Sequence, residues 1–444
     1  FPNYARSLLP FAIWVKNYQS SWLVGDIVAG LTVGVMIVPQ ALAYSKLTGL
    51  SLEYALYSSL MGGIVYSFFG TCREASLGPS AVVSLVLGQS IQELKSRTNF
   101  TGPEIASVFC IITALISLFL GVLRLGFLFD LLPHPIILGF TTGAAFKIML
   151  SQIPGLLGIP GVNTSQMAHL VISNIFNNLS DINWVNLTLG LSSLALILFL
   201  NFITYKFRKY HITHYISIGT IGITVIIHTI AAYIIKSNYP DIKMNLVGNV
   251  PSGIKLTLPP SDPALWSKAF PLAVPLTLIM LMELLEIMKI FTKRGGYSAN
   301  ISQEMLALGM ANLVGTFFSA FPITGALSRC AVLSKAGARS PLAGAFTGLV
   351  VILALLVLTP EFKYIPLPTL AAVIVVAVSK LVMKWTELVN LFLIDFLDFS
   401  LCVLCVVFTF FLGSELGVYI SMGLSFFILV LRIAHPKLSI LFKV

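Results

Sequence analysis

Charge is what this sequence has least of. Only 10% of its 444 residues are Asp, Glu, Lys or Arg, where soluble domains carry about 25%. Too few charges are present to cover a water-soluble particle of this size, and so apolar a chain is not disordered. Cysteine is sparse as well. Cys72, Cys110, Cys330, Cys402 and Cys405 are odd in number and sit mostly in apolar context. No disulfide framework follows, and Cys402 and Cys405 lack the second ligand pair of a zinc site. A P-loop, a Rossmann glycine fingerprint, an HExxH helix and a nucleophile elbow are all missing. No enzyme activity, metal or cofactor is therefore expected. No recognisable signal peptide precedes the first apolar run, and a start at Phe1 rather than Met reads as a fragment or trimmed chain.

What the sequence has is apolar surface. Hydrophobic residues make up 57% of it, and mean hydropathy is +0.94. The surplus must face lipid, so the bilayer is the first expected partner. The formal net charge of +10 does not indicate nucleic acid, because Lys and Arg occur in ones, twos and threes between apolar runs rather than as a basic stripe. Positive cytoplasmic loops account for it better.

A spanning helix needs about 20 mainly apolar residues. Twelve segments qualify: 23–47, 54–69, 105–123, 136–150, 184–205, 215–235, 270–291, 304–321, 341–358, 367–383, 396–411 and 416–433. Two further stretches, Gly78–Leu94 and Ser328–Gly337, are apolar but short and follow polar or Gly/Pro-rich sequence. Neither crosses about 30 Å of hydrocarbon as helix alone. Residues 76–84 and 326–334 share Leu, Ala, Val and Ser at equal spacing. With both stretches counted there are fourteen segments, seven per half, and each short stretch is third in its half. An odd number per half inverts the second copy. Interrupted helices at matching places in inverted halves point to a transporter binding site. The fold class expected is an all-α polytopic membrane protein of seven plus seven segments. Its divisions are an N-terminal cytoplasmic segment 1–22, a first repeat 23–235, an extracellular loop 236–267, a second repeat 268–433 and the start of a linker at 434–444.

With the N-terminus inside, the cytoplasmic loops collect Arg73, Arg124, Lys206, Arg208, Lys209, Lys289, Lys293, Arg294, Lys335, Arg339, Lys384 and Arg432, as the positive-inside rule asks. Three glycosylation sequons, at Asn99, Asn163 and Asn178, then all fall outside. The long outer loops are 151–183, with an amphipathic run at 167–176, and 236–267. Two GxxxG pairs, Gly30/Gly34 and Gly344/Gly348, are expected to bring helices close together.

Polar residues within the apolar segments are the candidates for function. Pro79 suits the start of the first short helix, and Arg329 opens the second. Two opposed helix starts each contribute about half a positive charge. Free N–H groups around Ser80 and Cys330 would point at one spot, an anion site, with Arg329 adding a full charge. Gln40, after Pro39 in the first segment, can donate two hydrogen bonds, and Tyr44 lies one turn on along the same face. Glu283 and Glu286 share a face of segment 270–291. Close carboxylates in a low dielectric do not both ionise easily, so this pair is expected to bind protons and couple proton entry to anion entry. An interfacial ion pair with Lys289 is the other reading of Glu286. Lys147 either balances a glutamate or reaches an interface. His228 reads as a satisfied helix histidine, and Asp395, Asp398 and Glu415 as interfacial.

The runs Asp26-Ile-Val-Ala-Gly30, Val38-Pro-Gln-Ala-Leu-Ala-Tyr44, Tyr54-Ala-Leu-Tyr-Ser58 and Leu77-Gly-Pro79 resemble the SulP family, solute carrier family 26. So do Gly139-Phe-Thr-Thr142, Gln303-Glu304 through Gly309 with Ala311-Asn312, Thr324-Gly-Ala-Leu-Ser-Arg329 and Glu415-Leu-Gly417. The resemblance covers essentially the whole chain. It implies a UraA-like fold of fourteen segments, a core domain moving against a gate domain in elevator fashion, a homodimer and secondary anion transport. It also implies that Gln40, Tyr44, the Pro79–Ala81 helix start and the Ser328–Arg329 helix start line the site. Glu283 matches the glutamate of proton-coupled members and of animal sodium-independent sulfate transporters. The sequence departs from the family at Ala326, often serine, and at Lys147. Members usually continue into a cytoplasmic STAS domain, expected just after Val444. The expectation is a proton-coupled sulfate carrier in a plasma or endolysosomal membrane with both termini cytoplasmic. Electroneutral exchange among chloride, sulfate, oxalate and bicarbonate is the alternative, then a chloride channel or voltage-driven motor. An uncharged nucleobase would have no use for Arg329.

Overall fold

The structure, a computed structural model, describes residues 9–129, 134–164, 166–207, 211–251, 253 and 255–434. Arg208, Lys209, Ser165 and nearly all of the proposed linker at 434–444 fall outside the described residues, as do the side chains of Glu415 and Arg432.

A helix stands at each expected segment. The first half contains α1 (Ser20–Thr48), α2 (Leu52–Phe69), α3 (Ala81–Arg97), α4 (Gly102–Val122), α5 (His134–Leu157), the short α6 (Ala168–Asn177), α7 (Trp184–Lys206) and α8 (His211–Asn238). The second contains α9 (Pro263–Gly295), α10 (Ile301–Phe317), α11 (Leu327–Lys335), α12 (Leu342–Leu353), α13 (Leu367–Ser379), α14 (Trp385–Ile394), α15 (Phe396–Phe411) and α16 (Ser414–Ala434). Among the described residues, seven helices are long and apolar enough to cross a bilayer unaided. The two largest shifts of boundary are in α5 and α9. α5 continues through Pro154 to Leu157, and α9 starts at Pro263 because Asp262 caps it, accepting from Ala264 N–H at 2.8 Å. α14 has no counterpart among the expected segments. Its ten residues are too few to span, and none of them is buried.

The packing divides the helices into two groups. α1, α2, α3, α4, α9, α10, α11 and α12 pack on one another, and α5, α7, α8, α13, α15 and α16 form the second set. These are the core and gate of the fold class. Contact between them runs through α1 with α8 and α13, α3 with α5, and α9 with α16. The pairing has the two-fold character of an inverted repeat. α2 lies on α12 as α10 lies on α4, and α5 lies on α15 as α13 lies on α7.

Small residues allow the close core packing. A Cβ on Gly30 would come within 2.5 Å of the Ala343 carbonyl, and one on Gly34 within 2.5 Å of Val350 Cβ. One GxxxG face of α1 therefore lies directly on α12. Asp26, fully buried, ties the same helices at one end. Its carboxylate accepts from the N–H groups of Arg339 (2.7 Å) and Ser340 (3.1 Å), the Ser340 hydroxyl (2.6 Å) and the Tyr18 hydroxyl (3.0 Å).

Each half is crossed at its middle by two extended residues, β1 (Leu77–Gly78) and β2 (Thr324–Gly325), which pair antiparallel with Leu77 opposite Gly325 and Gly78 opposite Thr324. α10 positions both. Glu304 accepts from Thr71 N–H (2.7 Å), Cys72 N–H (3.1 Å) and the Tyr66 hydroxyl (2.6 Å), which fixes the approach to β1. Eight residues on, along the same face, Asn312 accepts from Ile323 N–H (2.8 Å) and donates to its carbonyl (3.1 Å), which fixes β2.

Asp26→Ala would leave the buried N–H and hydroxyl of Ser340 without their acceptor, at about 1–3 kcal/mol each, and would also remove the acceptor of the Arg339 N–H. Thermal unfolding of the purified variant is expected to show a clearly lowered midpoint. An unchanged midpoint would mean that the α1–α12 tie contributes nothing.

Candidate anion site

The paired strands aim two helix beginnings at each other. Ser80 is extended (φ −117°, ψ 155°) and caps α3 by accepting from Val83 N–H at 3.3 Å. Pro79 therefore lies one residue before the cap and not in the helix as expected, because the serine hydroxyl supplies what the first turn needs. α11 begins at Leu327 after an Ala326 cap that has no side-chain acceptor. Arg329 is thus its third residue rather than its first. Cys330 N–H is spent inside the helix on the Ala326 carbonyl (3.0 Å), and its thiol accepts from Ser76 N–H at 3.2 Å. The donors that helix geometry leaves over are the N–H groups of Leu327, Ser328 and Arg329 on α11 and of Ala81 and Val82 on α3.

Arg329 joins the two beginnings. It is fully buried, and its Nη1 donates to the Pro79 carbonyl at 2.8 Å. Its Nε and Nη2 have no hydrogen-bond partner. Buried guanidinium donors are costly to leave unpaired, so two of them at one point make Arg329 the candidate anion ligand. A Cβ on Gly78 would sit 3.3 Å from Nη2 and 2.8 Å from Ile37 Cδ1. The glycine thereby lets β1 pass between Arg329 and α1. On that face of α1, Gln40 follows Ile37 by three residues and Tyr44 follows Gln40 by four. The Gln40 amide is wholly buried, and neither its oxygen nor its nitrogen has a partner. Tyr44 is buried within electrostatic reach of Arg329 and Glu283.

Glu283 completes the cluster from α9. Ser80 donates its hydroxyl to Glu283 Oε2 at 2.8 Å, so the capping residue of one half-helix is bonded to a carboxylate of the other half. Glu286 is half-buried one turn further along. Ser84, one turn beyond Ser80, is also buried with an unpartnered hydroxyl. It was not among the expected site residues, although a second serine four residues after a helix cap is a visible signal.

Near the site, exposure rises toward the C-terminal ends of α9 and α11. On α9 exposure rises from half-buried Glu283 and Glu286 to exposed Lys293, and on α11 from half-buried Ser328 and Val332 to exposed Lys335. In the opposite direction Gln40, Tyr44, Ser84 and Leu85 are all buried. The other candidates lie apart. Lys147 is buried in the gate, its Nζ beside Gly413. His228 bonds through both ring nitrogens, to Thr224 O (2.9 Å) and the Ser192 hydroxyl (3.1 Å). Asp395 caps α15. Asn99 and Asn163 are exposed, and Asn178 donates to the Asn174 carbonyl at 2.7 Å. A groove of about 510 Å³ between α5, α13 and α15 has only apolar residues along it and offers an anion nothing.

Two inverted halves, a core and a gate, and half-helices meeting at a buried cation define a polytopic membrane carrier of the UraA-like class. The family model described as "Sulfate permease family" matches residues 23–405, and the chain belongs to that family, whose members are transporters of anions such as sulfate rather than enzymes. It is 34% identical over its whole length to a probable sulfate permease of Schizosaccharomyces pombe, covering 54% of that protein. It is 35% identical over 98% of its length to sulfate permease 2 of Saccharomyces cerevisiae, covering 51%. It therefore spans about half the length of these curated relatives. A structure of SLC26A9 superposes with a TM-score of 0.88 at 25% identity, over 97% of this chain and 69% of that one. The transmembrane domain of the cyanobacterial bicarbonate transporter BicA shares the fold, with a TM-score of 0.78 over 90% of this chain and 98% of that one, at 18% identity.

Arg329→Gln keeps two donors but removes the charge. It is expected to weaken sulfate binding to the purified protein by about tenfold or more, as titration calorimetry would measure. Unchanged affinity would take Arg329 out of the site.

Proposed function

We propose that this protein carries sulfate across the membrane together with a proton. The reading rests on one observation above the rest. A fully buried arginine with two unpartnered donors meets the starts of two opposed half-helices, and a glutamate is bonded to the cap of one of them. Arg329 contributes one positive charge, and the two helix starts contribute about half a charge each. A sulfate dianion balances that total only if Glu283 is neutral. An empty site tolerates the carboxylate, which then holds the Ser80 hydroxyl. Sulfate entry with proton uptake at Glu283 takes the site from about one net positive charge to about none, whereas sulfate entry beside an ionised Glu283 would leave it negative, so anion and proton travel together. Glu286, between Glu283 and the open side, is the relay for the proton.

The small set of contacts between core and gate supports movement of the core as a body, with the site carried on it and the gate held still. Lys289, Lys293, Arg294 and Lys335 flank the open side, so the positive-inside rule makes that side cytoplasmic and this conformation inward-open. In this orientation the fourteen helices at the expected segments cross or half-cross the bilayer, and Asn99, Asn163 and Asn178 lie outside.

Proteoliposomes loaded to give an inward proton gradient test the coupling. The unmodified protein is expected to accumulate labelled sulfate faster with the gradient than without it. Glu283→Gln, with a permanently neutral side chain, is expected to bind sulfate but to lose the response to the gradient. If the gradient still drives the variant, Glu283 is not the coupling group. If internal chloride rather than the gradient drives the unmodified protein, the carrier is an exchanger.

A further inference from the structure

A second polar pocket lies farther along the same two helices that supply Gln40 and Ser80. It holds about 380 Å³ and is bounded by Lys46 and Thr48 on α1, Gln92 on α3, Gln152 on α5 and Thr164 beyond α5. Its walls come from both core and gate. Thr48 is four residues beyond Tyr44, and Gln92 is eight beyond Ser84, so the pocket is one to two helical turns, about 6–12 Å, from the buried site. It lies on the side away from the open crevice. Between the two stands a contact with no room in it. A Cβ on Gly88 would approach the Leu47 carbonyl to 2.0 Å, so α1 and α3 touch backbone to backbone there.

The chemistry of the lining has one sign. Lys46 is its single ionisable residue, and no carboxylate lines it. Lys46 Nζ donates to the Leu367 carbonyl at 3.4 Å, a long bond, while an ammonium has three protons to donate. The Thr48 hydroxyl is used locally, donating to Ser45 O (2.7 Å) and accepting from Leu50 N–H (3.2 Å). The amides of Gln92 and Gln152 line the same pocket, Gln152 almost buried and bonded to the Ser151 hydroxyl at 3.0 Å. A strongly hydrated ammonium at a partly open pocket suits an oxyanion that keeps part of its water, and the buried guanidinium suits one that has shed it.

We propose that this pocket is a second binding station for the transported oxyanion, held by Lys46 and closed off from Arg329 in this conformation by the Leu47–Gly88 contact. Its walls belong to both core and gate, so a shift of one against the other remodels the pocket and its route to the buried site. The identity of the anion rests on the function proposed above; the existence of the station does not require transport.

The test uses full-length purified protein in detergent, with Gln92→Cys as reporter and the five buried native cysteines controlled for by the parent protein. In an Arg329→Ala background, where the buried site is disabled, sulfate at constant ionic strength is expected to slow labelling of the reporter by a charged methanethiosulfonate at least about threefold, by occupancy of the pocket. Adding Lys46→Met is expected to abolish the protection, and Lys46→Arg to retain it. Each protein is first shown to be monodisperse. No protection in the Arg329→Ala background, or protection that survives Lys46→Met, overturns the proposal. Failure of the proposed function reads out separately, as an absence of sulfate flux through the unmodified protein.

Discussion

The structure depends on one buried cation. Arg329 is bonded through a single nitrogen to the Pro79 carbonyl and is otherwise unpaired. A guanidinium cannot lose its proton at any ordinary pH, so its burial must be compensated by what surrounds it. The compensation available is the Pro79 carbonyl, Glu283 within electrostatic reach, and whatever anion enters. In the proposed function the anion completes this electrostatic balance, with the starts of both half-helices gathered at the same point.

The rest of the core keeps that point in place. β1 and β2 hydrogen-bond to each other, so the two halves cannot shift independently at the midplane. α10 holds both strands, through Glu304 at one and Asn312 at the other. Ser58 adds a third fixing, its hydroxyl accepting from Phe321 N–H at 2.8 Å. At the end of the core toward which the crevice opens, Tyr297 stacks under the Arg73 guanidinium at 4.1 Å and donates to Glu74. Its phenol is held well above the ordinary range, by burial first and then by Cys72 and Glu74, so it remains a donor at every working pH. Rigidity of this kind is what the proposed carriage of the site on the core requires, since the core would have to move without losing the geometry around Arg329.

Much of this was legible in the sequence because it follows from hydropathy and from charge in the wrong place. The apolar segments, the matched short stretches, Arg329 and Glu283 all stand out against an apolar background. The GxxxG face of α1 was equally visible, and α12 lies on it. What the sequence did not reveal depends on long-range contact. Nothing near Glu304 or Asn312 says that each holds a strand. Asp26 is an ordinary family residue until Arg339 and Ser340 are folded onto it. Nothing in the sequence singles out Lys46, and only the approach of α3 and α5 makes it the one charge of a pocket. α14 was missed because ten residues with an exposed surface leave no spanning signal. Pro79 was placed inside its helix because proline favours a first turn, but the Ser80 hydroxyl took the capping role instead.

The most direct measurement is an experimental structure with selenate, whose selenium scatters anomalously and whose shape matches sulfate. The account predicts a strong anomalous peak between the starts of α3 and α11, within hydrogen-bonding distance of Arg329 Nε and Nη2 and of the Gln40 amide. A guanidinium turned away from that point, or selenate bound elsewhere with nothing between the helix starts, would contradict it.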